Sequence, residues 1–146
     1  MSERSAVEIL LVEDNPADVF LTEAAFEAAG VAVQLHLARD GVEALDLLTP
    51  PGGDGPGLSP RLVLLDLNMP RKNGFEVLNA LKANDQTRHL PVVILTTSAA
   101  QSDVERCYQL QANAYVTKPS GLDEFIEFIR VLERYWLQVV RLPEPV

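Results

Sequence analysis

Four short stretches of this 146-residue chain carry side chains able to act on an anion: Glu13-Asp14, Asp66, Thr96 and Lys118. Each follows an apolar run. Carboxylates gathered at one place repel one another unless a cation sits among them, and a divalent ion and Lys118 would both relieve that repulsion. Mg²⁺ suits such a set, because it takes oxygen ligands, keeps waters and needs only one or two carboxylates plus a phosphoryl oxygen. With the metal present, Asp66 can act as a nucleophile towards a phosphoryl group, giving an acyl phosphate. Mg²⁺, Lys118 and the Thr96 hydroxyl would then neutralise charge on the phosphoryl oxygens. Zinc suits the chain poorly: the two histidines, His36 and His89, pair with no other His or Cys at ligand spacing. Taken singly, Asp66 also reads as a turn cap and Thr96 as a hydroxyl satisfying a strand end.

The elements that must bring these residues together alternate. Residues 62–65, LVLL, run into Asp66 without polar alternation, the pattern of a strand covered on both faces, and Pro70 and Gly74 then break the chain. Residues 8–12, EILLV, form an earlier buried strand ending at Glu13 and Asp14. Asn15 as N-cap and Pro16 at the first helical position start a helix that Gly30 stops. Val33, Leu35 and Leu37 alternate with polar residues, marking an edge strand, and Asp40 and Glu43 have the spacing of a capping box. Residues 49–60, TPPGGDGPGLSP, read as a mobile surface loop. Phe75, Leu78 and Leu81 give the next helix; residues 91–96, PVVILT, the fourth strand; Ser102 and Glu105 a second expected capping box; Ala114 to Thr117 the fifth strand. Leu122 to Val140 is expected as one long helix, free of Gly and Pro.

Five strand–helix repeats with short connections predict an α/β fold: a flavodoxin-like, doubly wound, five-stranded parallel sheet in the order 2-1-3-4-5, with helices on both faces. That order sets the carboxyl ends of strands one, three, four and five side by side, where open α/β sheets bind ligands. The length allows one domain with a real core. A net charge of −9 argues against sequence-independent nucleic-acid binding. The single cysteine, Cys107, fits a reducing compartment, and no apolar run approaches membrane-span length. A cytoplasmic protein is expected.

The acidic pair after strand one, DLNMP-x-x-x-G after strand three, Thr after strand four and Lys-Pro after strand five closely resemble the receiver domain of two-component response regulators, the CheY-like family. Separations of 30 between positions 66 and 96 and 22 between 96 and 118 leave the register little freedom. The resemblance spans roughly residues 8–134, nearly the whole chain, and implies a single domain over residues 1–146 with that core and a C-terminal helix extended to about residue 140. It implies that Asp66 accepts a phosphoryl group from a sensor histidine kinase. It further implies that Asp14, Asp66 and the Asn68 carbonyl bind Mg²⁺, with Glu13 helping through water, and that Lys118 pairs with the phosphoryl oxygens. By the same resemblance Lys118-Pro119 is a cis bond, and Thr96 and Tyr115 form a switch acting on the fourth helix, fifth strand and fifth helix. Glu13 departs from the pattern, standing where many receivers have a second Asp. Thr97, Ser98 and Asn68 occupy positions that tune dephosphorylation in the family.

No DNA-binding segment follows Val146, so a stand-alone receiver is expected. The LDEFIEFI segment and Tyr135-Trp136-Leu137 resemble the small receivers paired with phytochrome kinases. The last helix carries more apolar residues than one stripe needs. Phe128, Leu132, Tyr135, Trp136 and Val139 are therefore expected to meet a partner, most simply a second copy in a homodimer, apart from an unknown downstream protein. The alternative is a Mg²⁺-dependent phosphatase or phosphotransferase with an Asp nucleophile, but Asn68 cannot serve as its acid/base group. A flavin-binding role is opposed by the acidic EDNPAD loop, which would repel an anionic cofactor.

Overall fold

A computed structural model of the protein describes residues 7–53, 57–69, 72–139 and 141. Its strands are β1 (Val7–Val12), β2 (Val33–Ala38), β3 (Leu62–Leu65), β4 (Val92–Thr96) and β5 (Ala114–Thr117). Its α-helices are α1 (Pro16–Ala29), α2 (Gly41–Leu48), α3 (Gly74–Ala83), α4 (Gln101–Gln109) and α5 (Leu122–Leu132). All four strand pairings are parallel and the order is β2-β1-β3-β4-β5, as the alternation predicts.

Strand side chains alternate between faces, and the core divides accordingly. Leu10, Val12, Val63, Leu65, Val92 and Ile94 pack with Leu78, Leu81 and Cys107 from α3 and α4. Ile9, Leu11, Leu62, Leu64, Val93 and Leu95 pack with Phe26 of α1 and Phe125, Ile129 and Leu132 of α5. The three central strands are buried along nearly their whole length, which explains their unalternating composition. At the edge, β2 keeps a wetter face, where His36 pairs with Glu8 at 2.9 Å.

Local signals explain most helix boundaries. Asn15 accepts from the N–H groups of Ala17 and Asp18, and Gly30 closes α1 in the left-handed region, with φ of 72°. Asp40 caps α2 through the Glu43 N–H; the Glu43 carboxylate in turn accepts from the Arg39 N–H. A full capping box forms at Asn73 and Glu76, which the apolar spacing of α3 leaves unmarked.

Three expectations are corrected. Ser102 lies inside α4, whose N-cap is Ala100; Ser98 instead accepts from the Ala100 N–H and donates to Asp103 at 2.6 Å, so the second box does not form. The last helix is α-helical only to Leu132 and continues as a π-helix over Glu133–Val139. The widened turn brings Trp136 and Leu137 onto the α1/α5 core and places Gln138 against Glu133, five residues back, at 2.6 Å. The Lys118–Pro119 bond is trans, the form X–Pro bonds favour when packing does not demand otherwise. The Pro/Gly connection has no longer element than a three-residue turn at Pro51–Gly53, with Gly52 in the left-handed region, and the Leu58 N–H donates to the Leu47 carbonyl at 2.7 Å; residues 54–56 lie outside the described set.

Candidate functional site

Ladder hydrogen bonds bring the chemical groups to one rim. The Glu13 N–H donates to Ala38 at 2.9 Å, the Asp66 N–H to Val12 at 3.0 Å and the Lys118 N–H to Thr96 at 2.7 Å, so each residue leaves its strand at the level of its neighbours. Gly74 matters here. A Cβ at position 74 would lie 2.6 Å from Leu67 Cα and closer still to the Asp66 carbonyl, so only a glycine lets α3 start directly against the peptide that carries Asp66.

The rim opens into a cleft of about 460 Å³ whose lining includes Glu13, Asp14, Asp18, Asp66, Asn68, Thr97 and Lys118. Carboxylate oxygens of Glu13, Asp14 and Asp66 all lie within 4.8 Å of one another, close enough to share one cation. The Lys118 ammonium, only 7% exposed, stands 2.7 Å from Glu13, 2.8 Å from Asp18 and 3.7 Å from Asp66. Asp66 also accepts from the Asn68 N–H at 3.4 Å, and Glu13 from the Asn15 N–H at 3.1 Å.

Burial raises the Glu13 carboxyl; Lys118 pulls it back and the Asp66 charge raises it again, leaving it at about 7. Burial would lower the Lys118 ammonium, but its bonds to Asp18 and Glu13 outweigh that, and it lies above its usual 10.5. The rim therefore has more negative charge than one lysine compensates, the condition an oxygen-liganded divalent ion relieves. The native state holds the Glu13 proton up to about pH 7, whereas the unfolded chain releases it near 4.5, so stability must fall as pH rises across that window. In metal-free buffer the urea midpoint is expected to drop between pH 5 and pH 7.5, and Glu13→Gln to flatten the drop. A midpoint that climbs over that interval would contradict the assignment.

The sequence-predicted residues do not all converge. Glu13, Asp14, Asp66, Asn68 and Lys118 line the cleft; Thr96 does not. It is fully buried on the strand face of Ile94, and its hydroxyl has no hydrogen-bond partner among the described residues, an arrangement that costs about 1–3 kcal/mol if left unanswered. The hydroxyl-bearing residue lining the cleft is Thr97. Tyr115 is half-buried against the α3/α4 side of the core, its hydroxyl donating to the Ser98 carbonyl at 2.8 Å. Asp18 went unassigned in the sequence because its place in the first turn of α1 already accounts for an acid there; its proximity to Lys118, 100 positions away, needs the fold.

The surface residues divide too. Leu132 is 2% exposed and belongs to the core cluster that joins α1, α5 and one face of the sheet, because it continues the buried α5 stripe of Phe125 and Ile129, so it is corrected from a partner contact to a packing residue. Phe128 and Trp136 are half-buried and Tyr135 is exposed, while the Val139 side chain lies outside the described set. Val131, 55% exposed, joins them as an apolar surface residue.

Among flavodoxin-like folds, an acidic rim closed by a lysine, in place of a nucleotide cradle, is the receiver arrangement. Residues 9–130 match the response regulator receiver domain, and the chain belongs to that family. It is 42% identical over 137 residues to a probable methanogenesis regulatory protein, FilR2, of Methanothrix harundinacea, covering 94% of this chain and 88% of that one. It is 39% identical over 135 residues to the response regulator Rcp1 of Synechocystis, covering 92% of each; a Mn²⁺-bound crystal form of Rcp1 superposes with a TM-score of 0.84. The phosphorylated cyanobacterial phytochrome response regulator RcpA superposes with a TM-score of 0.86 at 36% identity, over 95% of this chain and 99% of that one. The protein is thus a receiver-domain response regulator homologous to phytochrome-associated regulators. No helix of the described residues is long and apolar enough to cross a membrane.

Proposed function

We propose that the protein is a response regulator of the cytoplasm whose receiver domain takes a phosphoryl group onto Asp66 from a phosphohistidine of a sensor kinase. The observation carrying this is the buried Asp66 carboxylate, 3.7 Å from the Lys118 ammonium and within 4.8 Å of Glu13 and Asp14 oxygens. An Asp66 oxygen forms the new bond to phosphorus while the bond from phosphorus to the donor imidazole nitrogen breaks, and the electron pair leaves with the imidazole, which takes up a proton. Asp14, Asp66 and the Asn68 carbonyl would hold Mg²⁺, with Glu13 bound through water. When bound, the ion neutralises charge on the phosphoryl oxygens and screens Asp66 from its acidic neighbours. Lys118 orients the same oxygens.

Thr96, with its hydroxyl unpartnered among the described residues, is the group that turns to the phosphoryl oxygens, and Tyr115, which pairs with Ile94, two residues before Thr96, follows into the space vacated. The outcome is a changed α4/β5/α5 surface, read by a second copy of the chain through Phe128, Tyr135 and Trp136, or by a downstream protein. A kinase of the phytochrome type is supported by the relatives. The alternative of a phosphatase finds no support in the cleft, where Asn68 has no ionisable proton to give a leaving group.

Acetyl phosphate and Mg²⁺ test the reading. Intact-mass spectrometry should show one phosphoryl adduct, mapped by peptide analysis to Asp66 and missing when a chelator is added. An adduct on another residue, or none, would sink it.

A further inference from the structure

Two demands compete for the Lys118 ammonium. Its Nζ lies 2.8 Å from Asp18 Oδ2 and 2.7 Å from Glu13 Oε1, the lengths of charge-assisted bonds, but 3.7 Å from Asp66 Oδ2, which is beyond one. An ammonium has three N–H groups, so two are directed away from Asp66. Asp18 reaches across from the first turn of α1, 100 positions away, and its half-buried carboxylate lines the same cleft. Its presence is not needed for capping, since Asn15 already satisfies the open N–H groups of that turn.

From this geometry we infer that Asp18 is a positioning residue that holds Lys118 back from Asp66 and so opposes the capture of a phosphoryl group there. The inference rests on the reading of Asp66 as phosphoacceptor. A phosphoryl group brings up to about two negative charges and three acceptor oxygens, and it needs the donors that Asp18 occupies. As an anion on the cleft wall, Asp18 also repels the incoming donor. Removing its charge while keeping its shape replaces a charge-assisted bond by a weaker neutral one, so it loosens the hold on the ammonium and lowers the repulsion together. A role confined to the helix dipole would change stability slightly and leave Lys118 where it is.

Asp18→Asn in the full chain tests this at saturating Mg²⁺. The initial rate of labelling by acetyl phosphate is expected to rise roughly three- to tenfold, the scale of removing one charge a few ångströms from a partly screened site. Asp18→Glu, which keeps the charge, should restore a rate close to that of the wild type. A crystal structure of the Asn variant should show Lys118 Nζ moved to hydrogen-bond distance of Asp66, and Asp18→Ser supplies both measurements if Asn disturbs the helix. An unchanged or lower rate overturns the inference, as does a faster rate with Lys118 unmoved, which would be through-space charge alone. Labelled wild type with an unresponsive Asp18 variant refutes this inference only; wild type that takes no label refutes the reading of Asp66 itself.

Discussion

Asp66→Asn is expected to lose phosphoryl uptake by roughly a thousandfold or more, the scale at which deletion of a nucleophile is felt. The amide is almost the same size as the carboxylate and keeps an oxygen to accept from the Asn68 N–H, a bond of 3.4 Å in the wild type. What it lacks is a localised anionic oxygen to attack phosphorus. The loss should come without loss of fold. Asp66 is one of the charges that raise the Glu13 carboxyl, so the neutral amide removes a repulsion at the rim and lets Glu13 return towards the ordinary carboxylate range. Urea denaturation in metal-free buffer at pH 7.5 should therefore find the variant at least as stable as the wild type. A phosphoryl adduct that persists in the Asn variant would assign the nucleophile elsewhere.

Lys118→Ala is expected to slow labelling by about a hundred- to a thousandfold, the usual result of removing one donor aimed at charge that develops in the transition state. It also strips the ammonium from Glu13, Asp18 and Asp66, and breaking a buried pair of this kind costs about 3–5 kcal/mol where nothing else compensates. Compensation is available. Glu13, already at about 7 with the lysine present, would hold its proton to higher pH without it, so the destabilisation should be smaller at pH 5.5 than at pH 8. Added Mg²⁺ should recover part of the stability at pH 8, because the acids that lost the ammonium can share the ion. Labelling within twofold of the wild type would show that Lys118 has no part in handling the phosphoryl group.

The two variants separate the roles of groups a few ångströms apart. One removes the atom that forms the bond and spares the fold; the other removes the counter-charge and weakens both. Asp18 stands between them, since the same ammonium that should serve the phosphoryl group is bonded to α1 beforehand.

Much of this was legible from residue order. Unbroken apolar runs ending in Asp66 and in Glu13-Asp14 identify buried parallel strands, because a strand covered on both faces has no polar side to show. Asn15-Pro16 and Gly30 mark the ends of α1 because each suits a backbone geometry that few residues accept. Signals failed where two local solutions were equally available. Ser102 and Glu105 have capping-box spacing, but Ser98 bonds Asp103 and the helix begins at Gln101. The run from Leu122 has no breaker, yet the chain widens into a π-helix at Glu133, since packing Trp136 and Leu137 onto the core decides the winding there.

The sequence by itself determined the fold class and the strand order, and it pointed to Glu13, Asp14, Asp66, Asn68 and Lys118 at the rim but not to Asp18, because periodicity and strand-end chemistry are local and short crossovers have one hand. Only the tertiary structure decided which carboxylates hold Lys118, that Thr97 rather than Thr96 lines the cleft, and that Leu132 is core. Those outcomes depend on distances between side chains from different elements, down to differences of about an ångström. Residue spacing along the chain does not encode them; the packing of α1 and α5 against a twisted sheet does.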